Sequence, residues 1–165
     1  LQKAGYKADQ INAVLLTHTH MDHIGGLLTG DQLTFPNADI YLSKTEADYY
    51  LNPANKERIP EGMKRFFDGA VQKLTPIDKA GKLKTFAFGR DLFPGIKPVA
   101  STGHSAGHTF YAVQSKGQTM LFWGDIILSD IIQFTDPKVT SVYDHDKLAS
   151  ITVRKKALNE AAAKG

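Results

Sequence analysis

A chain of 165 residues has the length of one domain. Its 42% hydrophobic and 22% charged residues exclude a disordered chain, a coiled coil and a collagen-like repeat. No stretch reaches the roughly 18 consecutive apolar residues of a membrane span. The most apolar region, Met120 to Phe134, is broken by Gly124, Asp125, Ser129 and Asp130. The absence of cysteine excludes disulfides, thiolate zinc sites and a thiol nucleophile, and leaves the compartment open. The formal charge of +3 comes from scattered Lys and Arg, which read as a solvated surface and not as a nucleic-acid face.

In chain order, Leu1 to Tyr6 reads as a helix end closed by Gly5. Ala13–Thr17 is a short apolar run and predicts a buried strand leading directly into His18. Asp39–Leu42 predicts a second strand. Ser43-Lys-Thr-Glu46 is a capping box opening a helix to about Leu51. Asn52 to Pro60, with two prolines, reads as loop. Met63, Phe66, Phe67, Ala70, Val71 and Leu74 carry helical periodicity over Glu61–Leu74. Strands are expected near Lys84–Phe88 and Ile96–Ala100. Lys116-Gly117 between Thr109–Ser115 and Thr119–Trp123 is a hairpin signal. Asp144 or Asp146 caps a last helix to about Ala163, with Leu148, Ile151, Val153 and Leu158 at apolar positions. Interleaved strands and helices make the class α/β or α+β. No internal repeat or low-complexity linker divides the chain. The start at Leu1 and the stop at Gly165, after an Ala-rich run, are expected to be cuts within a longer protein.

Three pieces carry chemistry. The first is Thr17-His18-Thr19-His20-Met21-Asp22-His23-Ile24-Gly25-Gly26, with three of the six histidines and an aspartate within six positions. Imidazole and carboxylate are donors for zinc and its first-row neighbours. On an extended backbone His18 and His20 point the same way, and Asp22 and His23 continue into a turn toward a second position. The second piece is Ser101-Thr-Gly-His104-Ser-Ala-Gly-His108, a Gly-rich turn whose His104 can complete a three-histidine site. His108 is read instead as a histidine that orients a ligand or bonds backbone. The third is Leu121-Phe122-Trp123-Gly124-Asp125, an apolar strand ending in a carboxylate. Alone it is an ordinary turn; beside the histidines it is a candidate bridging ligand. His145, in Tyr143-Asp-His-Asp146, reads as a surface or cap residue.

Together the three pieces resemble the metallo-β-lactamase superfamily: His-x-His-x-Asp-His, then a Gly-His turn, then Gly-Asp at a strand end. The resemblance implies an αββα sandwich, of which this chain would be the central part, lacking the N-terminal strands and the segment carrying the last ligand. It implies two divalent metal ions, zinc by expectation. His18, His20 and His104 would hold one, Asp22 and His23 the second, and Asp125 would bridge both. Within the superfamily, Gln32–Ala38, Glu46–Leu51, Phe66–Ala70, Leu92–Lys97 and Gln133–Pro137 are similar to the methyl parathion hydrolase group. In that group aromatics matching Tyr49, Tyr50, Phe66 and Phe67 line the substrate pocket. Tyr50 and Phe66 are the candidates here, Tyr50 standing where a tryptophan is found, while Phe67 is expected in the core.

The implied function is a metal-dependent hydrolase in which two metals share an acidified water that attacks an ester-like centre, with Asp22 orienting it. The substrate classes are organophosphate triesters, lactones and aryl esters. A glyoxalase II-type thioesterase is the nearest alternative, and a non-catalytic metal-binding fragment or module is the other. A small-molecule substrate is expected, with neither nucleic acid nor membrane as partner, since no basic stripe is evident. The group resembled is dimer-forming, so a homodimer is an expected assembly. A bacterial periplasmic or secreted setting agrees with the resemblance, but no residue assigns it.

Overall fold

The computed structural model describes residues 1–164 and separates into two compact units, Leu1–Phe86 and the residues from Ala87 onward.

In the first unit, β1 (Ala13–Leu15) leads through residues 16–20 into the one-turn helix α1 (Met21–Ile24). A minimal hairpin follows, β2 (Leu28–Thr29) with β3 (Gln32–Leu33), and then β4 (Asp39–Ser43), α2 (Lys44–Tyr50), α3 (Lys64–Lys79) and β5 (Leu83–Phe86). The sheet order is β1-β4-β5 and every pairing is parallel, with Leu15 opposite Tyr41 and Leu42 opposite Thr85. Parallel neighbours require a crossover, which α2 and α3 supply between β4 and β5. Because the strands run parallel, the C-terminal ends of β1 and β4 lie at one sheet edge. Leu16 N extends the ladder there by donating to Tyr41 O (3.0 Å).

The core of this unit joins Ile40 and Leu42 of β4 to Ala47 and Tyr50 of α2 and to Phe67, Ala70, Leu74 and Ile77 of α3. The last four recur at i, i+3, i+7 and i+10, one face of a helix. This face carries α3 past the expected end at Leu74 and through Pro76. A proline inside a helix forfeits a hydrogen bond at a cost of about 3 kcal/mol. Full burial of a large aliphatic side chain returns about 1.5–3 kcal/mol, and Leu74 and Ile77 are both buried completely. Two further expectations are corrected. β1 is half-buried, because it borders the sheet on one side only, and burial becomes complete at Leu16. Residues 52–60 are mostly 3₁₀-helical (Pro53–Arg58), with Pro53 at the first position and Asn52 Oδ1 accepting from Ala54 N (3.1 Å).

In the second unit, β6 (Ile96–Ala100), β7 (Thr109–Ser115) and β8 (Gln118–Phe122) form an antiparallel sheet in that order. Lys116 and Gly117 both have positive φ (49° and 77°), the conformation of a two-residue hairpin turn whose twist matches its strands. A 3₁₀ turn over Gly124–Ile126, α4 (Asp130–Gln133) and α5 (Lys147–Lys164) follow. Phe110, Ile126 and Ala157 form a small core with Trp123, Ile127 and Val153. Asp146 is the residue that caps α5, its Oδ1 accepting from Ala149 N (3.0 Å). The inward face of α5 is Ser150, Arg154 and Ala157, whereas Leu148, expected inside, is 77% exposed. The helix buries a charged side chain because Arg154 finds carbonyl acceptors, Ile126 O (2.6 Å) and Val139 O (2.7 Å).

Backbone hydrogen bonds tie the loop at His104 to the segment before α5: Asp146 N donates to Gly103 O (2.8 Å) and His145 N to His104 O (3.1 Å). Gly103 has φ 142°, and a Cβ there would collide with Ser150 N and stand 2.8 Å from Ala149 C. Gly103→Ala is therefore expected to destabilise the second unit by several kcal/mol, as strained and overpacked backbone does. Gly62→Ala, with nothing within 4 Å of its would-be Cβ, is expected to leave stability near the parent. Thermal unfolding of the two variants checks the contrast.

Candidate metal centre

The first group of donors follows β1. Thr19 is fully buried and faces inward, so His18 and His20 project together from the opposite side of the extended chain. His20 keeps extended backbone (φ −66°, ψ 149°) while serving as the residue before α1. His18 Nε2 lies 3.1 Å from His20 Nδ1, and the two rings meet edge-on with centroids 4.6 Å apart. The other nitrogen of His18, Nδ1, is 3.0 Å from Thr17 Oγ1, which fixes the ring. The first turn of α1 then brings His23 against His18, centroids 4.1 Å apart. Asp22 Oδ2 is 3.4 Å from His23 Nε2, and the Asp22 side chain is 76% exposed.

The second group belongs to the other unit. His104 is buried in the loop between β6 and β7, and Asp125 lies in the 3₁₀ turn after β8. His104 Nε2 is 3.6 Å from Asp125 Oδ2. His104 Nδ1 is 3.0 Å from Asp144 Oδ1, and the Asp144 side chain is wholly buried. Ser141 N donates to the other carboxylate oxygen of Asp144 (2.8 Å). Burial opposes ionisation of Asp144, but the His104 hydrogen bond, the Ser141 amide and the His104 charge prevail and hold its carboxyl below the usual range. In the neutral ring an anionic Asp144 favours the proton on His104 Nδ1, which leaves Nε2, the nitrogen facing Asp125, as the one to bind a metal. This carboxylate–imidazole arrangement is characteristic of metal-ligating histidines.

His108 is also fully buried. Asp125 N donates to His108 Nε2 (3.2 Å), so the ring proton sits on Nδ1 and points to Ser101 Oγ (2.8 Å). Both nitrogens are engaged inside the unit, and the ring positions Asp125 through its backbone, in line with the reading of His108 as an orienting residue. His145 is exposed and contributes its backbone amide to the loop.

The donor chemistry fits a divalent ion of the zinc type, since all the clustered groups are imidazole nitrogens or carboxylate oxygens. The 3.1 Å between His18 Nε2 and His20 Nδ1 is close to the separation of about 3.3 Å that two nitrogens take on a tetrahedral ion with bonds of 2.0–2.1 Å. The aromatic candidates divide. Tyr50 and Phe67 are buried and tilt against each other, centroids 5.3 Å apart. Phe66 is half-buried, with the Arg65 guanidinium 4.7 Å above its ring. Asp144 is the residue that sequence reasoning missed as part of the site. Its only signal was an acidic pair before a helix, and one member of that pair does cap the helix.

Comparison with known proteins identifies the class. The model of the metallo-β-lactamase superfamily matches residues 1–163, and the chain belongs to that superfamily. Its mixed α/β fold is that of solved members. AidC, a dizinc quorum-quenching lactonase solved with N-hexanoyl-L-homoserine, matches with a TM-score of 0.90 and 31% identity, over 99% of this chain and 58% of its own. The hydrolase AbOPH matches with a TM-score of 0.88 and 32% identity, over 95% of this chain and 55% of its own. A Mycobacterium bovis protein named "Probable metallo-hydrolase" is 28% identical over 130 residues, 76% of this chain and 40% of its own length. The chain thus spans less than two thirds of these relatives.

The Asp144 contact generates a test. Asp144→Asn keeps the size of the side chain but removes the charge that orients His104. Loss of such a partner costs about 10- to 100-fold in metal affinity. Zinc binding measured by chelator competition is expected to weaken by about tenfold or more, with the circular dichroism spectrum unchanged.

Proposed function

We propose that the chain carries the metal-binding core of a hydrolase acting on lactones and related esters, with organophosphate triesters as a further substrate class of the methyl parathion hydrolase-like group. The observation that carries the reading is the His18–His20 pair, presented with ring nitrogens 3.1 Å apart directly after β1. The order of the motif assigns His18, His20 and His104 to one divalent ion, Asp22 and His23 to a second, and Asp125 to both. The likeness to a dizinc lactonase supports two zinc ions and a lactone or similar ester as substrate.

Bound metal supplies Lewis acidity and an acidified water. The residues of the chain do the rest. Thr17 and Asp144 select which ring nitrogen of His18 and of His104 is offered as a ligand. His108 anchors the backbone of Asp125, so that its carboxylate is presented without rearrangement. Asp22 is the carboxylate of the group open to solvent, and is suited to orient an attacking water. Phe66 offers ring surface to an apolar substrate, whereas Tyr50 is packed in the core.

His20→Ala tests the reading. Zinc content by elemental analysis and turnover of an N-acyl homoserine lactone, an aryl ester and a phosphotriester are expected to fall together. Parental turnover after that substitution overturns the assignment. Faster turnover of S-lactoylglutathione than of any of the three would favour a thioesterase, and two bound metals without turnover a metal-binding module.

A further inference from the structure

Glu46 is a carboxylate in the core of the first unit, with no exposed surface. A buried charge of this kind is tolerated only when polar partners satisfy it. Two of its partners are on one residue: Thr19 N donates to Glu46 Oε1 (3.0 Å), and Thr19 Oγ1 donates to the same oxygen (2.8 Å). Thr19 stands between His18 and His20. The proposed function gives Glu46 no part, and its position in a helical capping box had suggested only a local role.

We propose that Glu46 is a positioning residue for the His18–His20 donor pair, holding Thr19 toward α2 so that both imidazoles leave the chain together on the side opposite Glu46. The parallel register of β1 and β4 brings the segment after β1 beside the start of α2. Ser43, last in β4, accepts from Glu46 N through its Oγ (3.2 Å), which sets the first turn of α2 and aims Glu46 at Thr19. Two hydrogen bonds to one side chain fix the rotation of Thr19 about the strand axis. Alternation along an extended backbone then fixes its two neighbours. Tyr50, one turn further along α2, meets Thr19 and Glu46. Burial and the Glu46 charge raise its pKa, against a hydrogen bond with Thr19.

Glu46 has this role only if His18 and His20 bind metal, as the proposed function requires. The test compares Glu46→Leu and Glu46→Gln with the parent by zinc affinity, the visible spectrum of bound cobalt(II) and thermal unfolding. Glutamine can still accept from Thr19, so Glu46→Gln is expected to stay close to the parent in affinity and spectrum. Glu46→Leu is expected to weaken zinc binding about 10- to 100-fold and to change the cobalt spectrum. A purely structural carboxylate predicts otherwise: Glu46→Leu would leave the buried Thr19 donors unpaired and lower the unfolding temperature, but the folded protein would keep parental zinc affinity and spectrum. A folded Glu46→Leu protein with parental affinity and spectrum overturns the proposal while leaving the metal-site reading intact. A parent that binds no zinc overturns both. Should Glu46→Leu fail to fold, Thr19→Val decides: it removes one of the two hydrogen bonds, and parental affinity and spectrum in that variant overturn the proposal.

Discussion

An extended backbone sends alternate side chains to opposite faces, and much of the first unit serves to set that alternation over residues 18–20. Thr19 takes the face toward Glu46, and His18 and His20 share the opposite one. A helix at this point would put the two histidines about 200° apart around its axis, on different faces. The helix instead begins one residue later, at Met21, where a turn is needed to bring His23 back against His18. Strand pairing, the capped start of α2 and the buried Glu46 all act on this short stretch. Its two imidazoles are therefore left with little conformational freedom, the preorganisation that a ligand pair would need.

The second unit solves the same problem with different means. Its donors sit in loops, where backbone geometry alone specifies little, so side-chain hydrogen bonds do the positioning. Asp144 sets the tautomer of His104, His108 grips the amide of Asp125, and Ser101 closes the chain of contacts behind His108. Arg154 ties the turn after Asp125 to the segment before Asp144 by donating to Ile126 O, Pro137 O and Val139 O. Burial lowers the pKa of this guanidinium, and its carbonyl partners with the nearby Asp144 charge, 3.9 Å away, keep it tolerable. Such networks are costly when incomplete and specify one arrangement when complete. The near-absence of a large apolar core in this unit makes them more important to its shape.

Where local rules and packing disagreed, packing decided. Pro76 is a helix-breaking signal, yet α3 continues to Lys79 because Leu74 and Ile77 have a core to enter. Leu148 looks like a core position, yet it is exposed, because α5 turns Ser150, Arg154 and Ala157 inward instead. The prolines of residues 52–60 suggested an irregular loop, but Pro53 suits the first turn of a 3₁₀ helix. By contrast, the hairpin at Lys116-Gly117 and the Ser43 cap were readable, since each depends on two or three adjacent residues.

The sequence by itself determined the superfamily, the mixed α/β class and the identity and order of the candidate donors. Those depend on residue type and short spacing, such as two histidines one residue apart after an apolar run. Only the tertiary structure decided which residues support the donors. Glu46 lies 27 positions from Thr19, and Asp144 lies 40 positions from His104. No local pattern links such partners, because the contact is made by strand register and by backbone hydrogen bonds between distant loops. The same is true of Tyr50, whose aromatic ring was legible but whose burial depended on what α3 packed against it.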